Sequence, residues 1–175
     1  EKSEPRQTTL LTKTKRTKRT NLINNIMVSR GYSEVINYSF ISPSMSSMMG
    51  ADIKTVDVQN PLSIEMSVMR TSLLPGLLQN LMYNLQRQHE NIKLFESAKT
   101  FILNNKINKE IDVIAGISYG STVIEQWGLE SNPIDFYDVK GDLELLFSSF
   151  EIKDQISFKK DSHPMLCPGK NAKIE

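Results

Sequence analysis

Apolar residues recur along this chain in two rhythms, and the places where the rhythm changes separate helices from strands. Leu22, Ile23, Ile26 and Met27 form one stripe of a helix, and Gly31 stands just past its end, where a residue free of Cβ ends a helix well. The β-branched and aromatic residues of 34–40 then predict a strand. Ser42-Pro43 supplies a cap and a first turn for a short helix through Met49, closed by Gly50. A strand at 56–58 and a turn at Asn60-Pro61 follow. Leu77, Leu78, Leu81, Met82 and Leu85 share one helical face, with Ser72 as cap and Pro75 in the first turn. Residues 92–103 and 111–119 read as two strands joined by a polar turn containing Asn104-Asn105-Lys106. Val139, Leu143, Leu146, Phe147 and Phe150 mark a last helix that Asp138 could cap, and short strands are expected at 156–158 and 172–174. Helices interspersed among strands with hairpin-like turns predict an α+β fold whose sheet is largely antiparallel.

Composition narrows this picture. At 175 residues the chain fits one domain with a real core, and its 39% apolar content lies above that of disordered chains. It carries neither a secretory signal pattern nor an apolar run of membrane-spanning length, so no membrane partner is expected. Cys167 is the only cysteine, which excludes an intramolecular disulfide or a multi-cysteine zinc site and suits a reducing cytoplasm. Residues 1–9, polar and proline-containing, read as a linker from an upstream module, leaving 10–175 as the folded core. The first residue is Glu and the last residues lie inside an apparent strand. An excised segment, truncated at its C-terminal end, is the expectation.

The charges concentrate into a few candidates. Residues 1–20 hold seven Lys or Arg against two Glu, so a chain of net charge +1 is negative beyond them. Within that stretch Lys13, Lys15, Arg16, Lys18 and Arg19 crowd a helix N-terminus, an unfavourable place for cations that invites an anion such as a phosphate backbone. No aromatic residue interleaves the run to stack bases, and a solvated, frayed segment is the plainer account. Asp135, Asp138, Asp142 and Glu144 resemble a magnesium cluster, yet acids at a helix start also complement its dipole and cap its amides. Gly169-Lys170 fails as a phosphate loop because Pro164 and Asn171 occupy the positions that need Gly and Ser or Thr. His89 and His163 lack ligand partners at metal spacing. Glu65, Arg70 and Glu96 are the charges embedded in the apolar central block, and an arginine shared between two carboxylates satisfies all three on burial. No nucleophile or base accompanies them, so no catalytic residue and no metal ligand is assigned.

Three ordered blocks add a resemblance. They are Arg30-Gly31-Tyr32-Ser33-Glu34-Val35-Ile36-Asn37-Tyr38-Ser39-Phe40, then Asn60 to Leu78 with Ile92-Lys93-Leu94-Phe95-Glu96, then Asp135-Phe136-Tyr137-Asp138-Val139-Lys140-Gly141-Asp142-Leu143-Glu144. Together they resemble the bacterial phenylalanine–tRNA ligase β subunit family over nearly the whole chain. The resemblance implies a class II aminoacyl-tRNA synthetase-like antiparallel sheet flanked by helices, in a catalytic-like core that has lost its chemistry. Ile102 and Asn104, in Phe101-Ile102-Leu103-Asn104, stand where class II enzymes have an ATP-gripping arginine and a glutamate. An alkyl group cannot stabilise phosphate charge. The glycine-rich third motif is not visible.

The family further implies that the chain pairs with an α subunit carrying the active site, in an assembly of two α and two β chains that charges tRNA(Phe). ATP and magnesium serve the whole enzyme, with no cofactor in this segment. Its α-facing helix matches residues 12–30, which makes Leu22, Ile23, Ile26 and Met27 the implied subunit interface and the basic run a candidate tRNA contact. Ser97-Ala98 and Cys167 depart from the family pattern, where a glycine-containing step and a histidine are usual. Two rival readings stand beside this one: an RNA-binding module using the basic run, and a self-sufficient ATP-dependent ligase, against which Ile102 speaks.

Overall fold

The computed structural model describes residues 15–49, 54–104, 107–123, 126–163, 166–167 and 169–175. Its centre is a long hairpin, β4 (Ile92–Asn104) and β5 (Ile107–Tyr119), paired one to one from Ile92↔Tyr119 to Asn104↔Ile107. Strand β1 (Ser33–Glu34) lies on the other edge of β4 and runs parallel to it, with Ser33 opposite Leu94 and Glu34 opposite Phe95. Short antiparallel ribbons complete the β structure: β2 (Phe40–Ile41) with β3 (Val68–Met69), and β6 (Phe158–Lys160) with β7 (Ala172–Ile174). The single strand expected over 34–40 is therefore two. Between them the backbone leaves the ladder because the Asn37 N–H donates to the Glu96 carboxylate instead of a neighbouring strand. The strand expected at 56–58 reduces to one bridge, Asp57 to Val68.

Helix α1 (Lys15–Ser29) and helix α3 (Leu74–Leu85) cover opposite faces of this sheet. The alternation of β4 dictates that arrangement, since successive side chains leave a strand on opposite sides. Phe95, fully buried, meets Met27 and Tyr32, with Ile23 and Ile114 packed alongside. Its neighbour Leu94 and the buried Ile92 meet Leu77 on α3, joined by Val35, Leu81, Leu85, Ala115 and Ile117.

The helix ends follow local chemistry. Gly31 turns the chain out of α1 at φ 84°. Helix α2 (Pro43–Met48) starts as expected, with the Ser42 hydroxyl accepting from the Met45 N–H, whereas Gly50 falls outside the described residues. The first residue before α3 is Leu73, and Ser72 assists by accepting from the Leu74 N–H. Helix α4 (Phe136–Ser148) begins earlier than a cap at Asp138 would allow. Asp135 is the cap, accepting from the Tyr137 and Asp138 N–H groups at 2.7 and 3.1 Å, and Asp138 reaches back to the Asp135 N–H at 2.8 Å. Both acids are thereby committed to one capping box. Gly120, at φ 100°, lies so close to the Glu90 carbonyl that a Cβ would sit 2.1 Å from it.

Candidate functional site

The same pleat that seats Leu94 against α3 directs Glu96 to that side of the sheet, into a buried polar network. The Arg70 Nη1 donates to Glu96 Oε1 at 2.6 Å, with both side chains at most 5% exposed. Arg70 Nε donates to the Lys99 carbonyl at 3.0 Å, and the arginine's own backbone bonds Ser39 and Phe101. The second oxygen of Glu96 accepts from Asn37 Nδ2 at 2.8 Å, and Asn37 Oδ1 in turn accepts from Asn80 on α3 at 2.9 Å. Gly76 permits this closeness, for a Cβ there would come within 2.9 Å of the Asn37 side chain. One chain of bonds thus fastens β3, β4, α3 and the 35–39 segment together. Every oxygen of the carboxylate is engaged by a fixed donor, an arrangement suited to holding geometry rather than moving protons.

Glu65 is no member of this network, contrary to the three-residue ion pair expected from sequence. It is exposed on the 3-10 turn Ile64–Met66, in the rim of a groove shared with Tyr38, Phe40 and Met66. The sequence offers Glu65 and Glu96 alike; the strand pleat brings Glu96 to Arg70.

A second network escaped the sequence reading. Asp142, 5% exposed on α4, accepts from Arg30 Nε at 2.6 Å and from the Tyr32 hydroxyl at 3.0 Å, with Lys93 Nζ at 4.0 Å. It belongs to no magnesium cluster: Asp135 and Asp138 cap the helix, and Glu144 pairs with Lys140. The signal was available, because Asp142 falls four residues before Leu146, one helical turn away on the same inward face. Among the described residues no group of three His, Cys, Asp or Glu is placed to hold a metal.

Burial, and then the Asp142 carboxylate, push the Tyr32 hydroxyl from its ordinary 10.0 up to about 12. Between those values the folded chain keeps a proton that the unfolded chain has lost, so stability present below pH 10 drains away as pH rises through 12. At about 1.4 kcal/mol for each pH unit, the loss is roughly 2 to 3 kcal/mol. Denaturant melts across that range should show it in the parent chain and a flatter profile in Tyr32→Phe, which has no proton to hold.

The implied interface stripe divides. Met27 is buried and Ile23 partly buried in the chain's own core, Ile26 is half-buried, and Leu22 is exposed. Met27 is therefore corrected from a partner contact to core, while Ile23 packs beside it on Phe95 and keeps part of its surface on the groove next to α1. Of the basic run, Lys13 lies outside the described residues, Lys15 and Arg16 open α1, and Lys18 and Arg19 are exposed. Arg19 borders a groove of about 520 Å³ between α1 and the hairpin, opposite Lys99 and Asp112. Ile102 is half-buried on β4 opposite Lys109, close to the hairpin's end.

The whole chain, residues 1–175, matches the phenylalanyl tRNA synthetase beta chain CLM domain family. It is 41% identical over 155 residues to a phenylalanine–tRNA ligase beta subunit of Blochmanniella floridana, covering 85% of this chain and 19% of that protein. A second beta subunit, of Nitrosospira multiformis, is 40% identical over 152 residues, covering 87% of this chain and 19% of the relative. The chain thus spans about a fifth of the length of such relatives. Among solved structures, a pyrrolysyl tRNA synthetase of Desulfitobacterium hafniense superposes with a TM-score of 0.61 at 13% identity, over 85% of this chain and 50% of that one. At that identity the likeness shows the fold.

Proposed function

The chain belongs to the phenylalanyl tRNA synthetase beta chain CLM domain family, and from that premise we propose that it is a non-catalytic core segment of the β subunit of phenylalanine–tRNA ligase. In this reading it supports ATP-dependent charging of tRNA(Phe) by assembling with the catalytic α subunit, in the cytoplasm, as part of two α and two β chains. ATP and magnesium act on the α side, and this segment contributes no ligand to either. The observation that carries the proposal is the family match along the full chain, at about 40% identity to relatives named as β subunits. The buried networks support the inert part of it. Buried Arg70 and Glu96 are spent on each other, buried Asp142 is spent on the half-exposed Arg30, and Ile102 offers no charge to a phosphate. Among the described residues no helix is long and apolar enough to cross a membrane.

The test is exchange of labelled pyrophosphate into ATP in the presence of phenylalanine. The chain alone is expected to match a no-protein control, and the cognate α subunit is expected to capture it in a pull-down. Exchange above the control would instead make the chain a ligase in its own right. Salt-sensitive binding of tRNA without α would favour the RNA-binding alternative built on the basic run Lys13, Lys15, Arg16, Lys18 and Arg19.

A further inference from the structure

Between the start of α4 and the β6–β7 ribbon lies a cavity of about 850 Å³, a size that suits a small ligand. Ser118 of β5 and Ile134, both half-buried, line it, and Phe136, Tyr137 and Val139 add an aromatic and apolar wall. The Phe136 and Tyr137 rings meet edge to face, with centroids 5.6 Å apart and planes at 82°, and Tyr137 stays 74% exposed. Such a pair occupies one edge and one face, which leaves flat ring surface open to a third aromatic group. Lys160 and Lys170 border the same cavity, and among the described residues neither has an ion-pair partner. Their neighbours do: Lys159 and Lys173 pair with Glu175, and Lys140 pairs with Glu144. The lining holds a single carboxylate, Asp135, whose Oδ1 accepts from the Tyr137 and Asp138 N–H groups.

Open ring faces, an apolar wall and two uncompensated cations match one ligand chemistry, a flat base joined to an anionic phosphate. We propose that this cavity binds one nucleotide, with its base stacked on Tyr137 beside Phe136 and its phosphate held by Lys160 and Lys170. The lysines act as point charges, so the missing phosphate-loop pattern around Gly169-Lys170 is no obstacle. A single-stranded RNA and a free mononucleotide share this chemistry. The site is distinct from the basic run of α1, which has no aromatic residue to stack a base. It also stands independently of assembly with α, since none of its residues belongs to the stripe of α1.

The experiment is calorimetric titration of the whole chain with three probes: single-stranded oligouridylate, UMP and inorganic phosphate. The parent is expected to bind nucleotide, Tyr137→Leu to lose at least tenfold in affinity with its circular dichroism unchanged, and Tyr137→Phe, which keeps the ring, to bind like the parent. Lys160→Ala/Lys170→Ala should weaken binding and flatten its dependence on salt, whereas Lys18→Ala/Arg19→Ala should leave both as they are. Oligouridylate binding at least tenfold tighter than UMP identifies an RNA strand as the source, and equal affinities identify a free nucleotide. Phosphate binding as tightly as UMP overturns the proposal, because the base would then be unread. Binding that Lys18→Ala/Arg19→Ala abolishes and Tyr137→Leu leaves intact overturns it too and returns the nucleic acid to the basic run. A chain that binds neither oligouridylate nor UMP overturns the site alone, since capture by α in the same preparation reads the assembly separately.

Discussion

Arg70→Met is expected to lower the stability of the fold by about 3 to 5 kcal/mol, the cost typical of leaving one member of a buried ion pair alone. The side chain is only 5% exposed and its partner 2%, so water cannot replace the lost donor. Glu96 would keep its bonds from Asn37, which moderates the loss, but the Lys99 carbonyl would lose the donor that Arg70 Nε supplies. Denaturant melts measure the effect directly. Pairing the change with Glu96→Gln should recover a substantial part, because the cost comes from the orphaned charge rather than from the missing attraction. A loss below about 1 kcal/mol for the single variant would mean that the carboxylate finds other support and that the network is not held by its ion pair.

Phe95→Ala should cost a similar amount, about 3 to 5 kcal/mol, by a different route. The ring is wholly buried between Met27, Tyr32, Ile23 and Ile114, and the surrounding strand cannot collapse inward because Leu94 and Glu96 hold its other face. A cavity would remain under α1. The midpoint in urea is expected to fall, and hydrogen exchange should rise along α1 before it rises in α3, whose packing uses Leu77, Ile92 and Leu94 instead.

These two positions also mark what the sequence could and could not disclose. The hairpin, α3 and α4 were legible because each carries a sustained period, and the family resemblance followed from contiguous blocks of residues. Arg70 was legible as a charge inside an apolar block. Its partner was not, since Glu65 and Glu96 were equally suitable carboxylates until the pleat of β4 set Glu96 on the side of Leu94. The α1 stripe announced that it must be buried without saying against what, and the answer depended on Phe95, some seventy residues downstream in the chain. Asp142 was hidden by its neighbours: three acids near a helix start suggest one shared role, whereas the helical turn gives Asp135 and Asp138 to the cap and Asp142 to the interior. Residues 34–40 were misjudged in extent because a side-chain acceptor, which no propensity records, interrupts the ladder at Asn37.

The contact between Arg30 and Asp142 joins residues 112 apart in the chain, while β4 and β5 pair across an immediate turn. Loops of such different length close on different schedules: a hairpin forms within microseconds, and a contact spanning most of a domain must wait until the intervening chain has condensed. The Arg30–Asp142–Tyr32 clasp is therefore expected to close after the hairpin, and a low φ-value for Asp142→Asn in folding kinetics is the measurement that checks it. An interaction absent from the rate-limiting barrier acts on how long the native state persists more than on how fast it is reached. With a low φ-value at Asp142, the clasp sets the folded lifetime of the module rather than its rate of folding.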